Sequence, residues 1–218
     1  MWYSDHPSFV TTAVVIRNRV VHLVIAGLLI AVFAVSCQSA QPGTPDGNSA
    51  GQAGPVMSLA VDAMDGSLLK AADGLFRSSD HGQTWQPLGI PADLHPDSIQ
   101  QVATSVAAPA NLYAAGPGVG VVRSDDSGKT WRMVSTGLPT QEVAAFTVHS
   151  FRPDTLYAWI EGQGIFRTED SGERWQKMDA GPVGAVVALA HSTLEGSMNT
   201  GWLYAATPAG PYLSMDCF

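Results

Sequence analysis

The chain has 218 residues, 45% of them hydrophobic and only 14% charged, with 22 Gly, 14 Pro and a formal net charge of −8. That length and apolar content support one domain with a sizeable core and exclude a mostly disordered chain. The acidic balance argues against a nucleic-acid partner, which needs a basic face, and against docking of the folded part on an anionic membrane surface. Two cysteines, Cys37 and Cys217, are too few for a disulfide framework.

Residues 1–36 read as a signal peptide or membrane anchor. Arg17 and Arg19 form a positive flank, and Val20–Val35 is an almost unbroken apolar run. Sixteen residues suit a signal h-region better than a full bilayer span. The run ends in Ala34-Val35-Ser36-Cys37, which resembles a bacterial lipoprotein lipobox with Ala34 where Leu is usual. The resemblance implies a Cys37 that is lipidated after cleavage, and an exported protein held on the extracytoplasmic side. An uncleaved anchor helix and a plain cleaved signal are the alternatives, and under both of them Cys37 is a small linker residue. Residues 37–55 are mostly Gly, Pro, Ser, Gln and Ala with no large apolar side chain, and so are expected to form a flexible tether.

From 56 to 218 the chain repeats. Ser78-x-Asp80-x-Gly82-x-x-Trp85 returns as Ser124-x-Asp126-x-Gly128-x-x-Trp131 and as Thr168-x-Asp170-x-Gly172-x-x-Trp175, and a fourth start stands at Ser214-Met215-Asp216. The steps are 46, 44 and 46 residues, a period that belongs to stacked β-modules. The residue types suit a hairpin corner. The hydroxyl and the carboxylate accept backbone N–H groups, the Gly supplies positive φ, and the Trp opens the next strand with a large packing face. Ahead of each box come two apolar strands. The first are expected near Val56–Val61, Val102–Ala107, Val143–Val148 and Ala185–Ala190, and the second at Leu68–Ala72, Leu112–Ala115, Leu156–Ile160 and Leu203–Ala206. Gly74, Gly120, Gly164 and Gly210 recur four residues before each box, as turns into a third strand.

The repeated stretch resembles the Asp-box, or BNR repeat, of sialidases, xyloglucanase-like glycosidases, sortilin-type receptors and photosystem II assembly factors. The resemblance covers Val56 to Phe218 and implies an all-β fold, a β-propeller of four-stranded blades. In that superfamily the box usually sits away from the active site, so it speaks for fold more than for function. The Leu-Tyr-Ala strands and the Gly-x-x-Arg-Ser-x-Asp-x-Gly-x-Thr-Trp pattern are nearest the assembly-factor branch. In the last unit Cys217 follows Asp216 and Phe218 stands in the place of the turn glycine, with no Trp behind it. About three and a half blades are therefore expected, with an incomplete ring open to self-association.

Catalytic signatures are weak. Arg77, Arg123 and Arg167 each precede a box, and a sialidase-type carboxylate clamp competes there with a repeated inter-blade arginine. Tyr113, Tyr157 and Tyr204 recur at one strand position as packing residues. The acids outside the boxes, Asp62, Glu142, Asp154 and Glu161, show no spacing that pairs them for glycoside hydrolysis. His149 and His191 share an offset just after two first strands, where they would bind a metal or act as a base only with a third group. The repeat breaks where Ala72, Ala115 and Ala206 are replaced by Trp159, whose first reading is better packing between blades, with a stacking surface for a sugar or a peptide beside Glu161 as the other. No phosphate loop, Ser–His–Asp signature or zinc spacing is present. These readings favour a non-catalytic binding or assembly scaffold at the cell envelope with a protein or glycan ligand, no cofactor and no nucleic acid. The alternative is a sialidase- or xyloglucanase-like glycoside hydrolase, or a fragment of one.

Overall fold

The computed structural model describes residues 58–192, 194 and 201–214, together with a two-residue strand at the amino terminus. The rest of the export segment, the tether with Cys37, and Asp216, Cys217 and Phe218 lie outside the described residues. Strand β1 is Trp2–Tyr3 and belongs with the last blade. Blade 1 is β2 (Ser58–Val61), β3 (Leu68–Ala71), β4 (Leu75–Ser78) and β5 (Gln86–Pro87). Blade 2 is β6 (Gln101–Thr104), β7 (Leu112–Gly116), β8 (Gly120–Ser124) and β9 (Arg132–Met133). Blade 3 is β10 (Val143–Val148), β11 (Leu156–Ile160), β12 (Gly164–Thr168) and β13 (Gln176–Asp179). Blade 4 contains β14 (Ala188–His191), β15 (Leu203–Thr207) and β16 (Gly210–Ser214).

In blades 1–3 the four strands pair antiparallel in chain order. Blade 4 runs β14, β15, β16 and then β1, with Trp2 opposite Ser214 and Tyr3 opposite Leu213. This corrects the expectation of three and a half blades. Each of the four sheets is four-stranded, and the outer strand of blade 4 is the amino-terminal β1. The first strands of blades 1, 2 and 4 are also shifted or shorter than expected, at Ser58–Val61, Gln101–Thr104 and Ala188–His191.

Three apolar clusters hold the blades together. Leu69, Ala71 and Leu75 of blade 1 meet Leu112, Ala114 and Val122 of blade 2. Tyr113, Ala115 and Val121, on the other face of the same blade, meet Val143, Phe146 and Leu156 of blade 3. Ala145, Tyr157, Trp159 and Ile165 then meet Val186, Leu189, Leu203 and Ala205 of blade 4. Strands β7 and β11 are buried on both faces because alternate side chains serve the two flanking interfaces. Neighbouring first strands are also bridged by polar side chains. Ser58 Oγ donates to the Val102 carbonyl at 3.3 Å, Gln101 Oε1 accepts from the Phe146 N–H at 2.7 Å, and Ser150 Oγ donates to the His191 carbonyl at 2.8 Å.

Candidate functional site

Antiparallel order places two kinds of connection at opposite ends of every blade. Turns between first and second strands, and between third and fourth, lie at one end. Turns between second and third strands, and the links to the next blade, lie at the other. The boxes are therefore all at one end, and the inter-blade links are all at the opposite end.

The boxes form as their chemistry dictates. Ser124 Oγ donates to Asp126 Oδ1 at 2.8 Å and accepts the Gly128 N–H at 2.8 Å. Asp126 also accepts the Thr130 N–H at 2.8 Å and the Thr130 hydroxyl at 2.7 Å. Box 1 repeats this through Ser78, Asp80, Gly82 and Thr84. Box 3 uses Thr168, Asp170 and Gly172, and Arg174 offers only its N–H where the others have a Thr. In the chain ahead of each box glycine stands a second left-handed residue, His81 at φ 60°, Ser127 at 58° and Ser171 at 61°. Hydrogen bonds hold two of these carboxyls well below the usual range. The Thr84 hydroxyl and N–H bring Asp80 to about 2, and the Thr130 N–H and hydroxyl bring Asp126 to about 2. These donors are fixed by the corner itself, so the acids cap turns and do not titrate near neutrality.

The arginines do not converge. Arg77 binds Asp62 at 2.5 Å and donates to the Ser127 carbonyl of the next box at 3.1 Å. Arg123 pairs with Asp125 at 2.5 Å, and Arg167 with Glu169 at 3.2 Å. Each is spent on its own corner or on the neighbouring blade. The acids divide between the two ends. Asp62 and Asp154 lie at the box end, where Asp62 is fully buried against Arg77 and Asp154 accepts from Ser171 Oγ at 2.6 Å. Glu142 and Glu161 stand exposed at the link end.

The structure brings His149 and His191 together at the box end. Their rings stack with centroids 3.8 Å apart, and Tyr157 lies parallel to His191 at 5.9 Å. The Phe151 and Arg152 N–H groups donate to His149 Nδ1, which places the proton of the neutral ring on Nε2. The Ser150 N–H donates to His191 Nδ1 at 3.1 Å. This is a packed seam between blades 3 and 4. Among the described residues no group of three or more His, Cys, Asp or Glu is placed to hold a metal.

At the link end two hollows lie over consecutive inter-blade connections. One, of about 340 Å³, is lined by Trp159, Glu161, Ala180, Pro182 and Ala185. The other, of about 440 Å³, is lined by Met133, Ser135, Leu138, Pro139 and Gln141. Trp159 forms a wall rather than an open platform. It is 3% exposed, packs with Val186, Leu203 and Ala205, and leaves its Nε1–H buried with no hydrogen-bond partner. The loops at 136–141 and 180–185 carried no motif, and only the register of the repeats would have pointed to them.

A family model described as Sortilin, neurotensin receptor 3 (Sortilin-Vps10) matches residues 120–197. No curated protein matches. Among solved structures, the GH74 xyloglucanase of Xanthomonas campestris superposes with a TM-score of 0.60 at 20% identity, covering 77% of this chain and 30% of that one. The GH74 enzyme of Niastella koreensis gives 0.59 at 18%, covering 75% and 28%. YCF48 bound to D1 peptide gives 0.52 at 18%, covering 72% and 50%. The chain thus spans half or less of the length of these structures, and at these identities the likeness is one of fold. Taken with the three hydrogen-bonded corners and the four packed sheets, these matches make the fold a β-propeller, similar over residues 120–197 to the sortilin family.

Proposed function

We propose that this propeller is a non-catalytic binding and assembly scaffold, exported and held at the outer face of a bacterial membrane through lipidated Cys37. The observation that carries the reading is the commitment of its charged groups. Arg77, Arg123 and Arg167 are each neutralised locally, and Asp62 and Asp154 serve the box end while Glu142 and Glu161 stand at the other. A glycosidase needs two acids about 5–10 Å apart across one cleft. Ligand contact is assigned to the link end, where the hollows beside Glu161 and Leu138 join apolar walls to a few polar groups. A protein segment is the preferred ligand, in keeping with the peptide-bound YCF48 structure, and an envelope glycan is the other. Among the described residues no helix is long and apolar enough to cross a membrane, and anchoring is assigned to the amino-terminal segment.

Two experiments test this. Affinity capture from solubilised envelopes is expected to recover a partner with the wild type and to lose it with Glu161→Arg. Metabolic labelling with a fatty acid is expected to mark the wild type and not Cys37→Ala, and equal labelling of both would sink the anchor. The second reading, a piece of a glycoside hydrolase, is favoured by the superposition on GH74 enzymes. Release of sugar from xyloglucan or sialosides that disappears on changing Asp62, Asp154 or Glu161 would establish it.

A further inference from the structure

In blades 1–3 the outer strand begins directly behind the box tryptophan, and its register is constant. Gln86, Arg132 and Gln176, each the residue after the box Trp, stand opposite Arg77, Arg123 and Arg167, each the residue before the box. In blade 4 the residue before the box is Leu213, and Tyr3 stands opposite it. Trp2, the residue before Tyr3, therefore occupies the register of Trp85, Trp131 and Trp175. The amino terminus thus takes in blade 4 the register that the strand behind the box takes in blades 1–3, with a tryptophan at the box position.

The pair chemistry changes to match. Three blades oppose an arginine with Gln, Arg or Gln, whereas blade 4 opposes Leu213 with an aromatic residue. Facing residues across an antiparallel pair interact, and an apolar residue selects an apolar or aromatic partner. The edges differ too. Outer strands β5 and β9 are short and exposed and carry Pro87 and Arg132, devices that stop further pairing. Strand β16 reads Gly-Pro-Tyr-Leu-Ser with no charge, so a bare outer edge there would be a template for another strand.

We propose that the outer edge of β16 is a strand-acceptor site for an extended peptide that carries tryptophan at the box register and an aromatic residue after it. The resident ligand is the chain's own Trp2–Tyr3 segment, bound in cis. Main-chain hydrogen bonds supply the pairing, and Leu213 supplies selectivity. This rests on the export reading above in one respect: processing before Cys37 removes Trp2–Tyr3 with the leader and vacates the edge for a partner strand of the same chemistry.

The test traps the pair in the full chain. With Cys37→Ser and Cys217→Ser as background, Tyr3→Cys combined with Leu213→Cys is oxidised and mapped by mass spectrometry. Arg123→Cys with Arg132→Cys, the same register in blade 2, is the control. An intramolecular bond at half the control yield or more is expected. A linked control with no link at 3–213, or a link only between two chains, overturns the assignment. Separately, a labelled Met-Trp-Tyr-Ser-Asp peptide is expected to bind the full-length variant Trp2→Ala with Tyr3→Asp at least tenfold more tightly than the wild type. Equal binding to both, or binding to neither, overturns the acceptor site. Intramolecular trapping together with a mature protein that retains Met1 would leave the strand site standing and reject processing alone.

Discussion

At the scale of single residues, Asp126 shows how a surface acid serves structure. Its carboxylate collects N–H and O–H donors from one corner, which brings its pKa to about 2. A depressed folded pKa contributes stability that is present above the unfolded value near 4 and is lost as pH falls through about 2. Asp126→Asn is accordingly expected to lower the melting temperature at pH 7, and the difference from the wild type should shrink between about pH 4 and pH 2. Thermal melts across that range would reveal it, and a constant difference would count against a capping role for the charge. Trp131 is 8% exposed, and its Nε1–H donates to the Gly128 carbonyl at 3.1 Å. Trp131→Ala should cost about 3–5 kcal/mol in a denaturant melt, because it opens a cavity against blade 1.

At the scale of elements, the interfaces between blades decide what each side chain is for. Asp62 is fully buried and relies on Arg77, which also reaches the Ser127 carbonyl of the next box. Arg77→Leu leaves that carboxylate buried without its cation, and a loss of roughly 3–5 kcal/mol is expected. Combining it with Asp62→Leu should recover much of the loss, and a double variant no better than the single one would show that the pair is not coupled. Gly181 illustrates the same dependence, since a Cβ added there would run into the indole of Trp159, and its φ is 75° besides. Gly181→Ala should therefore disturb the hollow beside Glu161 while leaving the boxes intact. Loss of partner capture with little change in melting temperature would check this.

At the scale of the molecule, equivalent positions have unequal burial. Tyr113 and Tyr157 are 0% and 2% exposed, whereas Tyr204, at the same place in blade 4, is 37% exposed. Trp131 and Trp175 are buried, yet Trp85 in blade 1 is only partly covered, by the Lys70 ammonium at 4.4 Å. Leu59 and Val61 on the free side of blade 1 are 63% and 57% exposed. Among the described residues no apolar cluster joins blade 4 back to blade 1. Among the described residues these positions of blades 1 and 4 are thus less covered than their counterparts in blades 2 and 3. The full chain is expected to self-associate in sedimentation, and Leu59→Lys with Val61→Lys to shift it toward monomer. A wild type that stays monomeric at high concentration would contradict this.

How far the sequence reached follows from the range of the interactions. Each box is built from contiguous residues whose hydroxyl, carboxylate and glycine meet within one turn, so the corner, the period and the strands ahead of it were all legible from residue types alone. The propeller followed, because a module repeated every 44–46 residues has one face to bury on each neighbour. Contacts between distant segments were not legible. His149 and His191 share an offset, but only blade packing shows their rings stacked on each other. Trp159 breaks the repeat and is open in sequence to two readings, packing between blades or a ligand platform, and only the neighbouring blade decides for packing. The pairing of Trp2 with Ser214 joins opposite ends of the chain, and nothing local to either segment announces it. Local hydrogen bonding is written in adjacent residues. The face a side chain buries, and the strand an edge accepts, depend on what the fold brings alongside.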